Sequence, residues 1–365
     1  MAFHRILTMQ DYNFESKFNG RWDPLLRQII RILSENSRMS IVDIARQLKV
    51  SRKTVVDRMD MAQKELGIKY TVELDEARLN LANPHVVLIK FDKKPEEAEI
   101  RRILEKSHIP QFVAMVNGSY DLLIYTNAEN VNEYVYWDTS TRVLLAKYRA
   151  SWQPSDLAFR HLGFFPLRNE LLQKLDIPEL QKKIILLLND NARISFSEIA
   201  RRLGMKQNTV AYNFKKLLDS KYIKKFTLVI RNPPPVSVMA MCGKYVIGEG
   251  FESASMRVRK EVTLLDDKLP LVSRCLFSAR LVGSWDFFFI GVYDDYETAV
   301  KRMIKVYRNG FRDHGVKTIH GTITKVLIGD LPARSLEPQK EFNMIRWVPG
   351  VQPVVEKPIN TTAMA

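Results

Sequence analysis

An α+β fold, in which two three-helix modules alternate with two β-α-β-β-α-β modules, is predicted by three observations. A stretch of text occurs twice: Leu33 to Val55 returns as Leu188 to Val210, displaced by a constant 155 residues without a gap. Ten residues are identical, in the first copy Leu33, Asn36, Arg38, Ser40, Ile44, Ala45, Arg46, Leu48, Thr54 and Val55; unrelated sequences would share about one or two. After each copy the apolar pattern changes from helical spacing to strand alternation, and strand and helix signatures then follow in the same order. A short turn also recurs, Gly118-Ser119-Tyr120-Asp121 against Gly283-Ser284-Trp285-Asp286, displaced by 165 residues. Repetition at a fixed period reads as a duplication.

Each element has a local reason. Ile29, Ile30, Ile32 and Leu33 form the apolar stripe of a first helix. Ser40 is placed to cap a second helix, with Asp43 at the capping-box position and Ile41, Ile44, Ala45 and Leu48 on one face. Lys49-Val50 makes a tight turn, and Ser51 caps a third helix whose inner face is Val55, Met59 and Ala62. Gly67 stops that helix. Ile68 to Leu74 alternates as a strand, which makes the module a winged helix-turn-helix. The second copy repeats the pattern with Ser195, Ile199, Ala200, Leu203, a turn at Gly204 and a wing over Tyr222 to Ile230.

Beyond the first wing, strands are expected at Val86–Phe91, Phe112–Val116, Tyr120–Thr126 and Leu144–Trp152, with helices at 95–107 and 128–139. That is the ferredoxin-like order. The second α/β segment is expected to repeat it, with helices over 253–267 and 296–312 and a closing strand over Val316–Ile328. The chain thus divides into an N-terminal arm (1–22), a first winged helix-turn-helix (23–78), a first ferredoxin-like domain (84–153), a linker (154–175), a second winged helix-turn-helix (176–231), a second ferredoxin-like domain (236–329) and a C-terminal tail (330–365).

The chemistry of the third helices points to double-stranded DNA. In a helix-turn-helix this helix enters the major groove and its first turn meets base edges. The candidate DNA-binding residues are Ser51, Arg52, Lys53, Thr54 and Arg58 in the first copy, and Lys206, Gln207, Asn208, Thr209, Tyr212 and Lys215 in the second. Arginine suits guanine, asparagine and glutamine suit adenine, and lysine anchors phosphates. The alternative for these faces is an ordinary solvated cationic surface. A net charge of +15 over 365 residues agrees with a polyanionic partner.

Two cysteines, Cys242 and Cys275, without a CxxC motif argue against a disulfide scaffold or a zinc site and for a reducing, cytoplasmic setting. The six histidines (His4, His85, His108, His161, His314 and His320) are scattered, so neither a metal nor a cofactor is expected. No apolar run reaches the roughly 20 residues of a membrane span, so no membrane partner is expected.

A winged helix-turn-helix joined by a strand to a β-α-β-β-α-β domain, with Gly-Ser-aromatic-Asp between its middle strands, resembles the leucine-responsive regulatory protein/AsnC (Lrp/AsnC) family. The resemblance runs from about residue 23 to 329, as two fused copies. It implies a transcription regulator whose α/β (RAM-type) domains drive self-association, as a homodimer or larger assembly, and take an amino acid or another small effector near the turn. Gly118, Tyr120, Asp121, Gly283, Trp285 and Asp286 would form that effector edge; the alternative is a structural role, since tight connections require glycine. Gly315 to Thr322 looks like the family's last strand, and the first copy departs from this at Leu144 to Trp152.

Two further classes are open. One is an architectural protein that coats DNA through its backbone alone, associated with the nucleoid. The other is tetrapyrrole decarboxylation, found among two-unit proteins resembling this family, which relies on His and Arg in a His-Asn-Tyr-like stretch on the second strand of the α/β domain. That position reads Gln111-Phe112-Val113-Ala114-Met115 and Ser273-Arg274-Cys275-Leu276-Phe277 here, so an enzyme is not expected.

Overall fold

The computed structural model describes residues 24–82, 84–231, 237–245, 275–293, 297 and 316–331. The expected arm, the helices over 253–267 and 296–312 (Glu297 apart), and the tail beyond residue 331 lie outside the described residues.

The first three-helix module consists of α1 (Pro24–Glu35), α2 (Ile41–Leu48) and α3 (Arg52–Leu66), followed by β1 (Ile68–Leu74). Ser40 caps α2, its hydroxyl accepting from the Asp43 N–H at 3.1 Å and donating to the Asp43 carboxylate at 2.6 Å. Aspartate is one methylene shorter than the glutamate of a capping box, and it closes on the cap hydroxyl instead of the cap's backbone. Lys49 ends α2 in the left-handed conformation at φ 56°, and Gly67 ends α3 likewise at φ 57°. After the first ferredoxin-like segment, α7 (Glu179–Asp190), α8 (Phe196–Leu203), α9 (Gln207–Asp219) and β6 (Ile223–Ile230) have the same arrangement. Ser195 caps α8, and Gly204, 155 residues after Lys49, takes the same left-handed turn at φ 64°.

The wing strands pair with each other. β1 and β6 form an antiparallel ribbon in which Thr71 lies opposite Thr227. Each buried threonine hydroxyl is spent on the other side: Thr71 donates to the Asn189 carbonyl at 2.9 Å and Thr227 to that of Ser34 at 2.8 Å. The backbone N–H of Ser37 donates to Phe226, and that of Ala192 to Tyr70. Since such contacts occur in matched pairs, the two modules are related by a local twofold axis through the ribbon.

The α/β part contains β2 (His85–Phe91), α4 (Glu97–Leu104), β3 (Pro110–Gly118), β4 (Leu122–Thr126), α5 (Val131–Leu145) and β5 (Ala150–Leu162), the expected β-α-β-β-α-β order. The short α6 (Asn169–Leu172) leads to α7. The later strands are β7 (Ser237–Tyr245), β8 (Cys275–Gly283), β9 (Phe287–Tyr293) and β10 (Val316–Ile328). Instead of two separate sheets, all eight strands join in one closed antiparallel barrel, in the order β10-β3-β4-β2-β5-β8-β9-β7. The two sets of four strands meet at two seams, β3 with β10 and β5 with β8. Each set alone would end in two unpaired edges, and closure satisfies their N–H and C=O groups.

The last strand of the first set begins later and runs further than the sequence suggests. Leu144 belongs to α5, and β5 takes in Pro154 and the first part of the expected linker, up to Leu162. Its outer half is held by β8, a partner about 120 residues away that local alternation cannot reveal. Phe165, also expected in the linker, is buried and closes the barrel core, its ring centroid 4.7 Å from Phe112, 4.3 Å from Tyr125 and 4.8 Å from Phe277. Along β2 the side chains divide between two cores: Val86 and Leu88 face the main core, while Val87 and Ile89 face the layer built by α4 and α5. Such strands read as continuous apolar runs because both faces are covered.

Candidate nucleic-acid interface

The site rests on how α3 and α9 are seated. Val55, Met59, Ala62 and Leu66 bury the inner face of α3, and Val210, Phe214 and Leu217 that of α9. This helical spacing turns the first-turn residues outward. Ser51, Arg52 and Lys53 are exposed, and Thr54 and Arg58 are half-buried. Lys206, Gln207, Asn208, Thr209, Tyr212 and Lys215 are all exposed. The structure therefore brings each set onto the first turns of its helix.

The two helix starts differ in chemistry. The Ser51 hydroxyl accepts from the Thr54 N–H at 3.0 Å and shares a hydrogen bond with the Thr54 hydroxyl at 2.8 Å, so both are engaged in the cap. That leaves Arg52 and Lys53 as the outward groups. At α9 the cap position is Lys206, which makes no side-chain cap. Asn213 donates to the Thr209 carbonyl at 2.9 Å, and the Lys216 ammonium stands over the Tyr212 ring at 4.6 Å. Tyr212 is 59 % exposed, a large aromatic face that this cation keeps in place.

Sequence reasoning missed the pair that fixes the two helices relative to each other. Arg38 donates to the carbonyls of Ala192 at 2.6 Å and Ile194 at 3.2 Å. Arg193 donates to the carbonyls of Ser37 and Met39, the latter at 3.0 Å. Arg38 also lies over Phe196, Phe214 and Phe226, and Arg193 over Tyr70. Burial, then the neighbouring Arg193 charge, pulls Arg38 below the ordinary arginine value. The sequence carried only part of the signal: Arg38 and Arg193 are one of the ten identities, but so are Arg46 and Arg201, which are exposed.

The second predicted group falls into two places. Around the barrel β3 and β8 are four strands apart, so the turns that follow them sit on opposite walls. At one seam Gly118 pairs with Gly321 of β10; at the other Gly283 pairs with Ser155 of β5. A Cβ on Gly118 would come within 2.6 Å of the His320 carbonyl oxygen. Tyr120 is buried and donates to the Ala240 carbonyl at 3.0 Å. Burial pushes its hydroxyl well above the usual tyrosine value. The Trp285 N–H groups reach Ser155 Oγ at 3.0 Å from the backbone and Gln153 Oε1 at 3.1 Å from the indole. Asp121 accepts from the Phe91 N–H at 3.0 Å and from Lys90 Nζ at 3.2 Å, while Asp286 lies 3.9 Å from Arg280. Gly118, Tyr120, Gly283 and Trp285 thus stitch the two strand sets together, while Asp121 and Asp286 bond within their own sets.

Among the described residues one grouping has the donors of a metal site: His108, Glu129 and Glu133, with ligand atoms within 4.8 Å of one another. Lys174 Nζ stands 3.2 Å from both carboxylates, so an ammonium already supplies the positive charge there. Burial holds His108 below its ordinary value in spite of Glu133 beside it. His85 is also committed, 2.6 Å from Asp156 and stacked on Tyr134 at 3.5 Å between centroids. Among the described residues no helix is long and apolar enough to cross a membrane.

An exposed, partly basic third helix on a capped three-helix frame is the DNA-binding head of a helix-turn-helix regulator. Comparison with known proteins agrees. Residues 23–61 match the AsnC-type helix-turn-helix domain, and residues 177–224 a winged helix-turn-helix DNA-binding domain. An uncharacterized HTH-type transcriptional regulator of Pyrococcus furiosus is 30% identical over 118 residues, covering 31% of this chain and 78% of that protein. An HTH-type transcriptional regulator of Methanocaldococcus jannaschii is 29% identical over 140 residues, 38% of this chain and 83% of that one. The crystal structure of the siroheme decarboxylase NirDL shares the fold, with a TM-score of 0.52 at 10% identity over 84% of this chain and 92% of that chain. The chain belongs to the Lrp/AsnC family of DNA-binding transcriptional regulators.

Proposed function

We propose that this regulator is a tandem Lrp/AsnC protein, in which one chain carries two winged helix-turn-helix readers alternating with two RAM-type domains and so does the work of a dimer. The observation that carries this is the exchange between Arg38 and Arg193, which sets α3 and α9 about one axis as two subunits would be set. Arg52, Lys53, Gln207 and Asn208 meet base edges in successive major grooves, and Arg58, Lys206, Thr209, Tyr212 and Lys215 hold the backbone, while Ser51 and Thr54 cap the first reading helix. A mobility-shift assay tests it. Arg52→Ala combined with Asn208→Ala should weaken binding to a selected site by at least tenfold, each lost base pairing being worth about 1–3 kcal/mol. Unchanged affinity and preference would remove these helices as readers. Excess random DNA separates a regulator, which keeps its site, from an architectural coat, which is stripped.

Self-association and effector binding belong to the same proposal. Support for self-association is the outer face of α5, where Val131, Val135, Tyr136, Val143 and Leu144 are exposed. A second copy covering this face would be lost in Tyr136→Lys with Val143→Lys, seen as a lower mass by light scattering. The two seam turns, Gly118–Asp121 and Gly283–Asp286, are the effector edges, and an amino-acid panel in a thermal-shift assay checks them. The cytoplasm, on the nucleoid, is the expected setting.

Catalysis of the tetrapyrrole-decarboxylating kind is not part of this reading. Its support is chemical: Gln111, Phe112, Val113, Ala114 and Met115 on β3 are buried side chains that move no proton at neutral pH. Carbon dioxide release from siroheme by the purified chain would overturn it.

A further inference from the structure

We infer that the DNA site of this protein is directional: guanine-centred under α3, adenine-centred under α9, and bound in a single orientation. The inference rests on the proposed reading that both helices enter the groove, and goes beyond it.

The argument starts from the frame. Thr71 faces Thr227 across the β1–β6 ribbon, and the contacts of Arg38 and Arg193 are reciprocal. A twofold operation carries one helix start onto the other at the same height along the axis. B-DNA has twofold axes of its own, and a symmetric pair of readers meets two half-sites of inverted orientation. In a homodimer identical helices then demand a palindrome.

Here the frame is symmetric and the reading surface is not. Thr54 and Val55 recur as Thr209 and Val210, with both valines buried in the same role. The exposed residues just before them differ: Ser51-Arg52-Lys53 becomes Lys206-Gln207-Asn208. Arginine and lysine offer only donors, which match the two major-groove acceptors of guanine. Glutamine and asparagine offer one donor and one acceptor on a planar amide, which match adenine. The two helices are parts of one chain, so neither can be exchanged for a second copy of the other. On a palindrome one of them always meets the wrong base. Turning the protein end for end on its own site mismatches both.

Selection from a random duplex library with the full-length chain tests this. The selected motif should have one guanine-bearing and one adenine-bearing half-site in fixed order. Replacing one half-site with an inverted copy of the other, to make a palindrome of either kind, should cost about tenfold or more in affinity. The variant Arg52→Gln with Lys53→Asn changes only exposed side chains and makes the first helix read like the second. It should select a near-palindrome of adenine half-sites and lose preference for the original. Two results overturn the inference while leaving groove reading intact: a wild-type motif whose half-sites are all alike, or an unchanged motif for the double variant. Tight binding without any enriched motif overturns both the inference and the groove reading beneath it.

Discussion

Arg38 and Arg193, 155 residues apart in sequence, each donate to the two backbone carbonyls flanking the other, Arg38 to Ala192 and Ile194, and Arg193 to Ser37 and Met39. Two guanidinium groups thus lie near each other in a half-buried place, an arrangement that like charges oppose. Carbonyl dipoles and aromatic faces around them compensate: Phe196, Phe214 and Phe226 for Arg38, Tyr70 for Arg193. The function of the pair is mechanical. It joins the loops that precede α2 and α8, so that the reading helices move as one body.

Removing one member should therefore loosen the pair of heads. Hydrogen bonds to a charged group contribute about 1.5–3 kcal/mol, and Arg38→Ala or Arg193→Ala should cost about 2 kcal/mol, discounted for partial exposure and relieved repulsion. Urea denaturation measures this. Lysine at either position should recover little, since one ammonium cannot reproduce two N–H bonds in fixed geometry. In the double variant the cost should be well below the sum, because each side chain shares its partner. Full additivity would show that they act independently.

A second link ties the ribbon to the barrel. Glu73 on β1 is buried, and its carboxylate meets Arg160 of β5 at 2.7 Å, with the arginine side chain 9 % exposed and the glutamate 1 %. Glu76 stands 3.6 Å from the same guanidinium and accepts from the Tyr125 hydroxyl at 3.5 Å. Breaking a buried pair strands a charge, so Arg160→Met should cost about 3–5 kcal/mol in denaturant unfolding, while adding Glu73→Met should return most of it. A double variant as unstable as the single one would refute the charge-stranding account.

Much of this was legible in the sequence, and the limits have physical causes. The caps at Ser40, Ser51 and Ser195 and the left-handed stops at Gly67 and Gly204 are local, set by residues within one turn, and the structure has them where the sequence puts them. The outward placement of Arg52, Lys53, Gln207 and Asn208 follows from the inward spacing of Val55 and Val210. The barrel was not legible. Its closure depends on β3 finding β10 and β5 finding β8, partners far apart in sequence that local periodicity cannot name. For the same reason β5 was read short, and Phe165 was read as linker rather than core.

Glu198 marks the acid side of the stability profile. Hydrogen bonds from Arg201 and then Arg202 lower Glu198 on α8 from 4.5 to about 2. The sign follows from linkage: a depressed carboxyl stabilises the fold above its unfolded value and loses that contribution as pH falls through its folded one. The contribution is complete above about pH 4.5 and vanishes through about pH 2. A carbon-detected carboxyl titration should place Glu198 near 2, and Arg201→Gln should move it back toward 4.5. An unshifted midpoint in the intact chain would show that this surface cluster is not held in solution.

Three glycines give a graded test of the seams. Gly118 has φ 153°, and a Cβ there would lie 2.6 Å from the His320 oxygen and 2.7 Å from the Gly321 Cα, both backbone atoms of the opposing strand. Neither can retreat without opening the β3–β10 seam. Gly283 has φ 127° and a looser surrounding, its nearest contact 3.2 Å from the Pro154 oxygen. Gly204 has φ 64° with nothing within 4 Å, and its counterpart Lys49 shows that a side chain can take this turn. Alanine at Gly204 should thus cost only the left-handed penalty, about 1–2 kcal/mol. At Gly283 the backbone penalty adds to a small displacement. Gly118→Ala should be the most harmful of the three, at about 3 kcal/mol or more, since backbone overlap adds to conformational strain. Thermal unfolding of the three variants gives the order directly. If Gly204→Ala proved worse than Gly118→Ala, the close approach of the strands at the first seam would be wrong.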